Sequence, residues 1–233
     1  MAVLRVALAV EDGHVRDRVI GEQILYYRRR AAEYDAGAYP SPAVGRERIA
    51  RIVSTLPADV PTLELACGTG MWTEALARRT GDLTAIDASP EALGIARRRC
   101  AASVRFVCAD ILRWVPDRHY QLIFFAFWLS HVPSSCVAGF FGTLRRALTA
   151  AGQVIFVDEH ISQAGKEWFT ADPEVAKRCL DDGTVHRVVK VFVDPPQLKA
   201  RLDALRWSCE LGTDDTDWVI GRARPRQRTR PRS

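Results

Sequence analysis

Residues 62–73 read Thr-Leu-Glu-Leu-Ala-Cys-Gly-Thr-Gly-Met-Trp-Thr. An apolar, strand-like run ends in an acid, Glu64, and turns through Ala66, Gly68 and Gly70 before a helical pattern begins. Small residues at such a turn let the backbone approach a ligand where a Cβ would collide, and glycine takes positive φ without steric cost. A second acid, Asp87, closes the apolar run 83–86, and a third, Asp110, follows the run 104–107. Three strand-end acids at roughly 23-residue intervals suit a nucleoside-type ligand lying across the carboxyl edge of a parallel sheet.

Outward from this stretch the pattern alternates regularly. Strands are expected near 61–66, 83–87, 104–108, 120–126 and 152–158, and helices over 71–80, 90–100, 134–149 and 195–205. Strands alternating with helices of this length imply right-handed crossovers and a parallel sheet covered on both faces. The run 120–127 is nearly unbroken apolar, as a central strand buried on both sides must be. Ser89-Pro90-Glu91 supplies an N-cap and a first-turn proline. Upstream, Ile24, Tyr27, Ala31 and Tyr34 recur at helical intervals, and a second helix is expected over 43–56. Residues 1–19 show no sustained period and are expected to be a flexible extension. Near the end, 178–193 reads as a hairpin turning at Asp182-Gly183, followed by strands near 206–211 and 216–221.

The glycine turn and its acids resemble the class I S-adenosylmethionine-dependent methyltransferases, over roughly residues 20–222. The first motif of that family, acid-x-Gly-x-Gly-x-Gly, reads here Glu64-Leu65-Ala66-Cys67-Gly68-Thr69-Gly70, with Ala66 in place of the first glycine. The competing dinucleotide fingerprint, Gly-x-Gly-x-x-Gly, fails because Thr73 stands where its third glycine belongs. A carboxylate at Glu64 would also repel a pyrophosphate, whereas it suits the amino group of the methionine moiety. The resemblance implies an α/β, Rossmann-like fold: a seven-stranded, mostly parallel sheet in the order 3-2-1-4-5-7-6, the last strand antiparallel, with helices on both faces. It also implies a methyltransferase domain over 20–221, with cap helices in 20–57 and a substrate-side insertion at 160–193.

For the site, the resemblance implies S-adenosyl-L-methionine as cofactor. Glu64 would contact its amino end, and the backbone at Ala66, Gly68 and Gly70 would lie against it. Asp87, with Ala88 beside it, would accept from both ribose hydroxyls. Asp110 would accept from the adenine amino group while the Ile111 amide reaches a ring nitrogen. Each acid could instead cap a following helix. Tyr27 and Arg30 would close over the methionine end, or the tyrosines could anchor their helix. Phe127 opens the stretch Phe127-Trp128-Leu129-Ser130-His131, where relatives place cofactor and substrate contacts. His131 is the candidate general base, since imidazole titrates near neutral pH, with a structural role as its alternative. Asp158, Glu159 and His160 face the expected cleft edge as substrate contacts or as loop polars. Trp128 and Trp168 could wall an apolar pocket or pack in the core.

Composition bounds the rest. The chain has 233 residues, 48% of them hydrophobic, and no apolar stretch long enough to cross a bilayer. The first ten residues are apolar but interrupted by Arg5 and lack a clear cleavage site, so a secretory signal is not expected. Six dispersed cysteines form no Cys-x-x-Cys pair, which argues for reduced thiols in the cytoplasm and against zinc or disulfides. No metal is expected. The formal charge of +5 is concentrated from Arg222 onward, where six arginines alternate with small or polar residues and no acid occurs. Residues 222–233 are therefore expected to be a disordered tail, a solvated extension or an anchor for anionic surfaces. The expected acceptor is a small molecule, methylated on oxygen, nitrogen or carbon. An RNA or other macromolecular acceptor, and a non-catalytic cofactor-binding protein, are the alternatives.

Overall fold

The computed structural model describes residues 2–213 and 217–226, with side chains from residue 16 onward. A seven-stranded sheet forms its centre: β1 (Thr62–Leu65), β2 (Leu83–Asp87), β3 (Arg105–Cys108), β4 (Tyr120–Ala126), β5 (Leu148–Glu159), β8 (Trp207–Thr213) and β9 (Trp218–Pro225). Its order is β3-β2-β1-β4-β5-β9-β8. The first five strands pair in parallel, while β9 runs antiparallel to both β5 and β8. This is the expected topology, with a reversed strand inserted beside the fifth. The labels differ only because β6 (Val175–Cys179) and β7 (Val185–Val189) form a separate hairpin. Its turn uses Gly183 at φ 82°, as the Asp-Gly signal implied.

Alternation along the strands divides the core into two layers. Leu63, Ile123 and Phe125 face α6 (Val137–Ala147) and α7 (Pro195–Ala204), meeting Phe141, Leu144 and Leu202. Ala85, Leu122 and Phe124 face the other way, onto Ile52 of α3 (Pro42–Ser54), Trp72 of α4 (Met71–Leu76) and Leu93 of α5 (Pro90–Arg99). The helix expected over 134–149 is shorter because 134–136 forms a 3-10 turn and β5 already begins at Leu148. Ser89 caps α5 by accepting from the Ala92 amide at 3.0 Å, and Pro90 opens it.

Two boundaries depart from expectation. The extension expected over 1–19 is helical backbone from residue 2, part of α1 (Ala2–Arg30). Val19 and Tyr26 explain its inner portion: they pack against Val175, Val189, Ala176 and Val188 of the β6–β7 hairpin. Ion pairing of Glu22 with Arg187 fixes the same contact at 2.6 Å. These small clusters are separate from both main core layers, so α1 and the hairpin make a cap with hydrophobic centres of its own. The second departure is at residues 222–226, expected to begin a disordered tail. Residues 222–225 instead complete β9, because the inward positions Gly221 and Ala223 alternate with Arg222 and Arg224. The rest of that expected tail, 227–233, lies outside the described residues. Among the described residues no helix is long and apolar enough to cross a membrane.

Candidate active site

A cavity opens at the carboxyl ends of β1 to β5, beneath α1 and α2 (Tyr34–Ala38), enclosing about 1250 Å³ counted out to its mouth. This is where an open α/β sheet leaves a crevice, beside the strand at which the order reverses. Its floor is made by the loops whose residues the sequence singled out: Ala66 and Gly68, Asp87 and Ala88, Asp110 and Ile111, and Phe127. Tyr27, Arg30 and His131, also expected, line the same cavity. Ile24, Tyr27, Ala31 and Tyr34, the face read from helical spacing, all turn toward this cavity.

The turn after β1 is built for close approach. Gly68 sits at φ 54°, and a Cβ there would project into open space. Ala66 holds the same left-handed conformation at φ 54°, costing on the order of 1 kcal/mol that glycine would avoid. Asp87 locks the turn: its carboxylate accepts from the Gly68 and Ser89 amides, each at 2.8 Å. Burial pushes the Asp87 pKa up against those backbone hydrogen bonds. Asp110 accepts from the Leu112 amide at 3.0 Å. The capping alternative does not hold for Glu64 and Asp87, since Gly70 and Ser89 occupy the N-cap positions of α4 and α5, whereas Asp110 does hold an amide of the turn that follows it.

Two expected contacts lie outside the cavity wall. Gly70, at φ 85°, is pressed against α5, where an added Cβ would come within 2.9 Å of Ala96 Cβ and 3.1 Å of Cys100 Sγ. Its smallness serves helix packing. Glu64 is 2% exposed, and its Oε2 has no hydrogen-bond partner. Burial raises the Glu64 pKa to about 8, which the Thr73 hydroxyl lowers only in part.

A pH dependence follows. Between the unfolded pKa near 4.5 and the folded value near 8, the folded chain holds a proton that the unfolded chain has lost. Rising pH across that window therefore erodes stability. Glu64→Gln is expected to remove the slope and to stabilise the ligand-free protein at pH 7 by on the order of 3 kcal/mol. Thermal unfolding of both proteins from pH 5 to 8 checks this, and parallel curves would contradict it.

His131 is not the free base that its place in the sequence suggested. Its Nδ1 donates to the Val189 carbonyl at 2.7 Å, leaving Nε2 to accept from the Tyr27 hydroxyl at 2.9 Å. Burial, reinforced by the charges of Lys190 and Arg178, holds its pKa well below the usual range, so the ring is neutral. Gln23 ties the same parts together, donating to the His131 carbonyl at 3.1 Å and accepting from the Val189 amide at 2.9 Å. Phe127, at φ 54°, is held by an edge contact with Trp218 at 5.0 Å.

The three residues after β5's core divide their roles. Asp158, fully buried, accepts from the Ser130 and Glu159 amides at 2.9 and 2.8 Å and so shapes the turn carrying His131. His160 caps a 3-10 turn by accepting from the Ser162 amide. Only Glu159 reaches the cavity, where it pairs with Lys190. Lys190 and Arg178 are cavity residues that the sequence reading missed. Lys190 is 1% exposed; it also donates to Ser130 Oγ at 3.3 Å and lies 4.6 Å over the Phe192 ring. A lone lysine inside Val188-Val189-Lys190-Val191 was the available signal. Arg178 pairs with Glu167. Among the described residues no group of three His, Cys, Asp or Glu could hold a metal ion.

Comparison with known proteins agrees with this geometry. A family profile described as a methyltransferase domain matches residues 62–152. The solved DhpI–SAH complex is 36% identical with a TM-score of 0.77, the match covering 90% of this chain and 98% of that one. A DhpI–SAM–HEP complex is similar at 35% identity, 89% and 98% coverage and the same TM-score. Malonyl-[acyl-carrier protein] O-methyltransferase of Serratia marcescens is 28% identical over 155 residues, 64% of this chain and 58% of that protein. Nodulation protein S of Rhizobium tropici is 32% identical over 99 residues, 40% of this chain and 41% of that protein. The chain thus spans about half the length of these two curated relatives.

Proposed function

The chain belongs to the class I S-adenosylmethionine-dependent methyltransferases, and from that premise we propose that it methylates a small, anionic molecule. The observation that carries this reading is the convergence of Lys190, Arg178 and Arg30 on one cavity, where the charges of all three are felt at the buried His131. A fully buried ammonium costs several kcal/mol to desolvate, so Lys190 is retained against a penalty that Glu159 offsets. A second anion arriving beside Arg30 would meet a guanidinium that pairs with no carboxylate among the described residues, being stacked over Tyr26 and Tyr34 instead.

The residues fit the cofactor: Gly68 leaves open space, Asp87 and Asp110 present acceptors to hydroxyls and an amine, and Glu64 has an unsatisfied oxygen at the end of β1. When bound, S-adenosylmethionine supplies a sulfonium methyl whose transfer to an anion neutralises both charges, a reaction favoured by dry surroundings. The protein's own work is alignment. Asp87 and the Ile111 amide fix the nucleoside end, and Phe127 and Tyr27 narrow the space between donor and acceptor. Lys190 and Arg178 hold the acceptor in its ionised form. No strong base is then needed, which accords with the one imidazole in the cavity wall being already engaged on both nitrogens. His131 serves to orient the Tyr27 hydroxyl. With six unpaired cysteines, the protein suits the reducing cytoplasm.

The test is to incubate the protein with methyl-labelled S-adenosylmethionine and metabolites fractionated by ion exchange. Label is expected in a compound drawn from the anionic fractions. Label entering only neutral or cationic fractions would overturn the proposed acceptor class.

A further inference from the structure

The cavity adjoins a second hollow. A surface groove lined by Tyr26, Lys166, Trp168, Lys177 and Asp181 meets it at Arg30, Gly37 and Arg178, which belong to both. Counted out to solvent, the groove holds about 1220 Å³. The partition is therefore two guanidinium groups and a glycine. Arg30 donates to the Tyr26 hydroxyl at 3.0 Å, and a Cβ on Gly37 would sit 3.4 Å from Arg30 Nη2, so the glycine leaves the guanidinium room. Arg178 is held by Glu167, the residue before Trp168.

Trp168 is the unexplained feature of this groove. Its side chain has no place in either core layer and is 62% exposed. Yet its backbone is fixed, because its carbonyl accepts from the Lys177 amide at 2.8 Å and Phe169 bridges to Ala176. The Lys177 ammonium lies 4.8 Å over one part of the indole. A large aromatic surface carried on a fixed backbone and left in water, beside cations and next to a reaction cavity, is what a stacking contact requires.

We infer that this groove is a second subsite for the acceptor: it takes a flat, aromatic extension of a molecule whose anionic group lodges between Arg30 and Arg178. The inference rests on the anionic acceptor proposed above. It makes the acceptor longer than the inner cavity, with its anionic, methylated group turned inward toward Tyr27 and Lys190 and its ring outward against Trp168.

The test uses the full chain saturated with S-adenosylhomocysteine, titrated calorimetrically with inorganic phosphate and with phenyl phosphate. Phenyl phosphate is expected to bind roughly tenfold more tightly, and Trp168→Ala to shrink that preference to within about twofold. S-adenosylhomocysteine affinity, unchanged in the variant, shows that the fold is intact. Equal binding of the two anions overturns the subsite, as does a ring preference that survives Trp168→Ala. Self-association that the variant abolishes would assign the groove to a second copy and overturn the inference as well. If neither anion binds while the cofactor product does, the anionic acceptor falls with the subsite. Failure of the cofactor product to bind would instead strike at the methyltransferase reading itself.

Discussion

Replacing Asp87 by alanine is expected to weaken S-adenosylmethionine binding roughly a hundredfold while the protein stays folded. The carboxylate has two tasks. It accepts from the Gly68 and Ser89 amides, which sets the turn against which the ligand lies. On the proposed assignment it would also accept from two ribose hydroxyls, and hydrogen bonds to an ionised carboxylate are each worth roughly 1.5–3 kcal/mol. A hundredfold corresponds to about 2.7 kcal/mol, so loss of even one strong bond together with a loosened turn reaches it. The ligand-free fold should tolerate the change, since burial already disfavours the charged side chain. Calorimetry gives the affinity and thermal unfolding the control. A dissociation constant within threefold of the parent's would remove Asp87 from the site.

Lys190→Met is expected to lower kcat/KM for the acceptor by at least a hundredfold and to leave S-adenosylhomocysteine affinity within threefold. Methionine matches the length and apolar character of the lysine stem, so packing against Phe192 survives while the charge is lost. Glu159, with about a third of its side chain exposed, then stands unpaired beside the acceptor and repels it. The variant thus removes an attraction and uncovers a repulsion at once, and the effect should exceed that of a surface charge many times over. Lys190→Arg should recover part of the activity. Turnover above a third of the parent's in Lys190→Met would contradict the assignment.

The sheet was legible because buried parallel strands leave continuous apolar runs, and because β1 and β2 close on acids and β3 is followed by one. The two faces of α1 were half legible. Helical spacing found Ile24, Tyr27 and Ala31, which face the cavity. It did not find Val19 and Tyr26, since their partners lie in a hairpin some 150 residues on. Distance in sequence hid the chemistry in the same way: His131 is engaged by Tyr27, 104 positions earlier. Lys190 and Arg178 reach the cavity from the hairpin side. Gly70 shows the converse limit. A glycine belonging to a ligand-binding motif and one required by a crowded helix contact look identical in a sequence, and only α5's position separates them. At the C-terminal end, arginines at every second position concealed the inward Gly221 and Ala223 that make 218–225 a strand.

The cap formed by α1 and the β6–β7 hairpin has its own apolar centres, while the ties described for it are polar: Gln23, Tyr27 and Val189 to the His131 turn, Arg28 to Glu91, and Lys190, just past the hairpin, to Ser130 and Glu159. Lifting the cap as one unit would therefore break polar contacts and leave both main hydrocarbon layers buried. Admission of a ligand by this route would leave the two main core layers out of the opening. The doorway works like a latch, with the stability of the house invested in other walls.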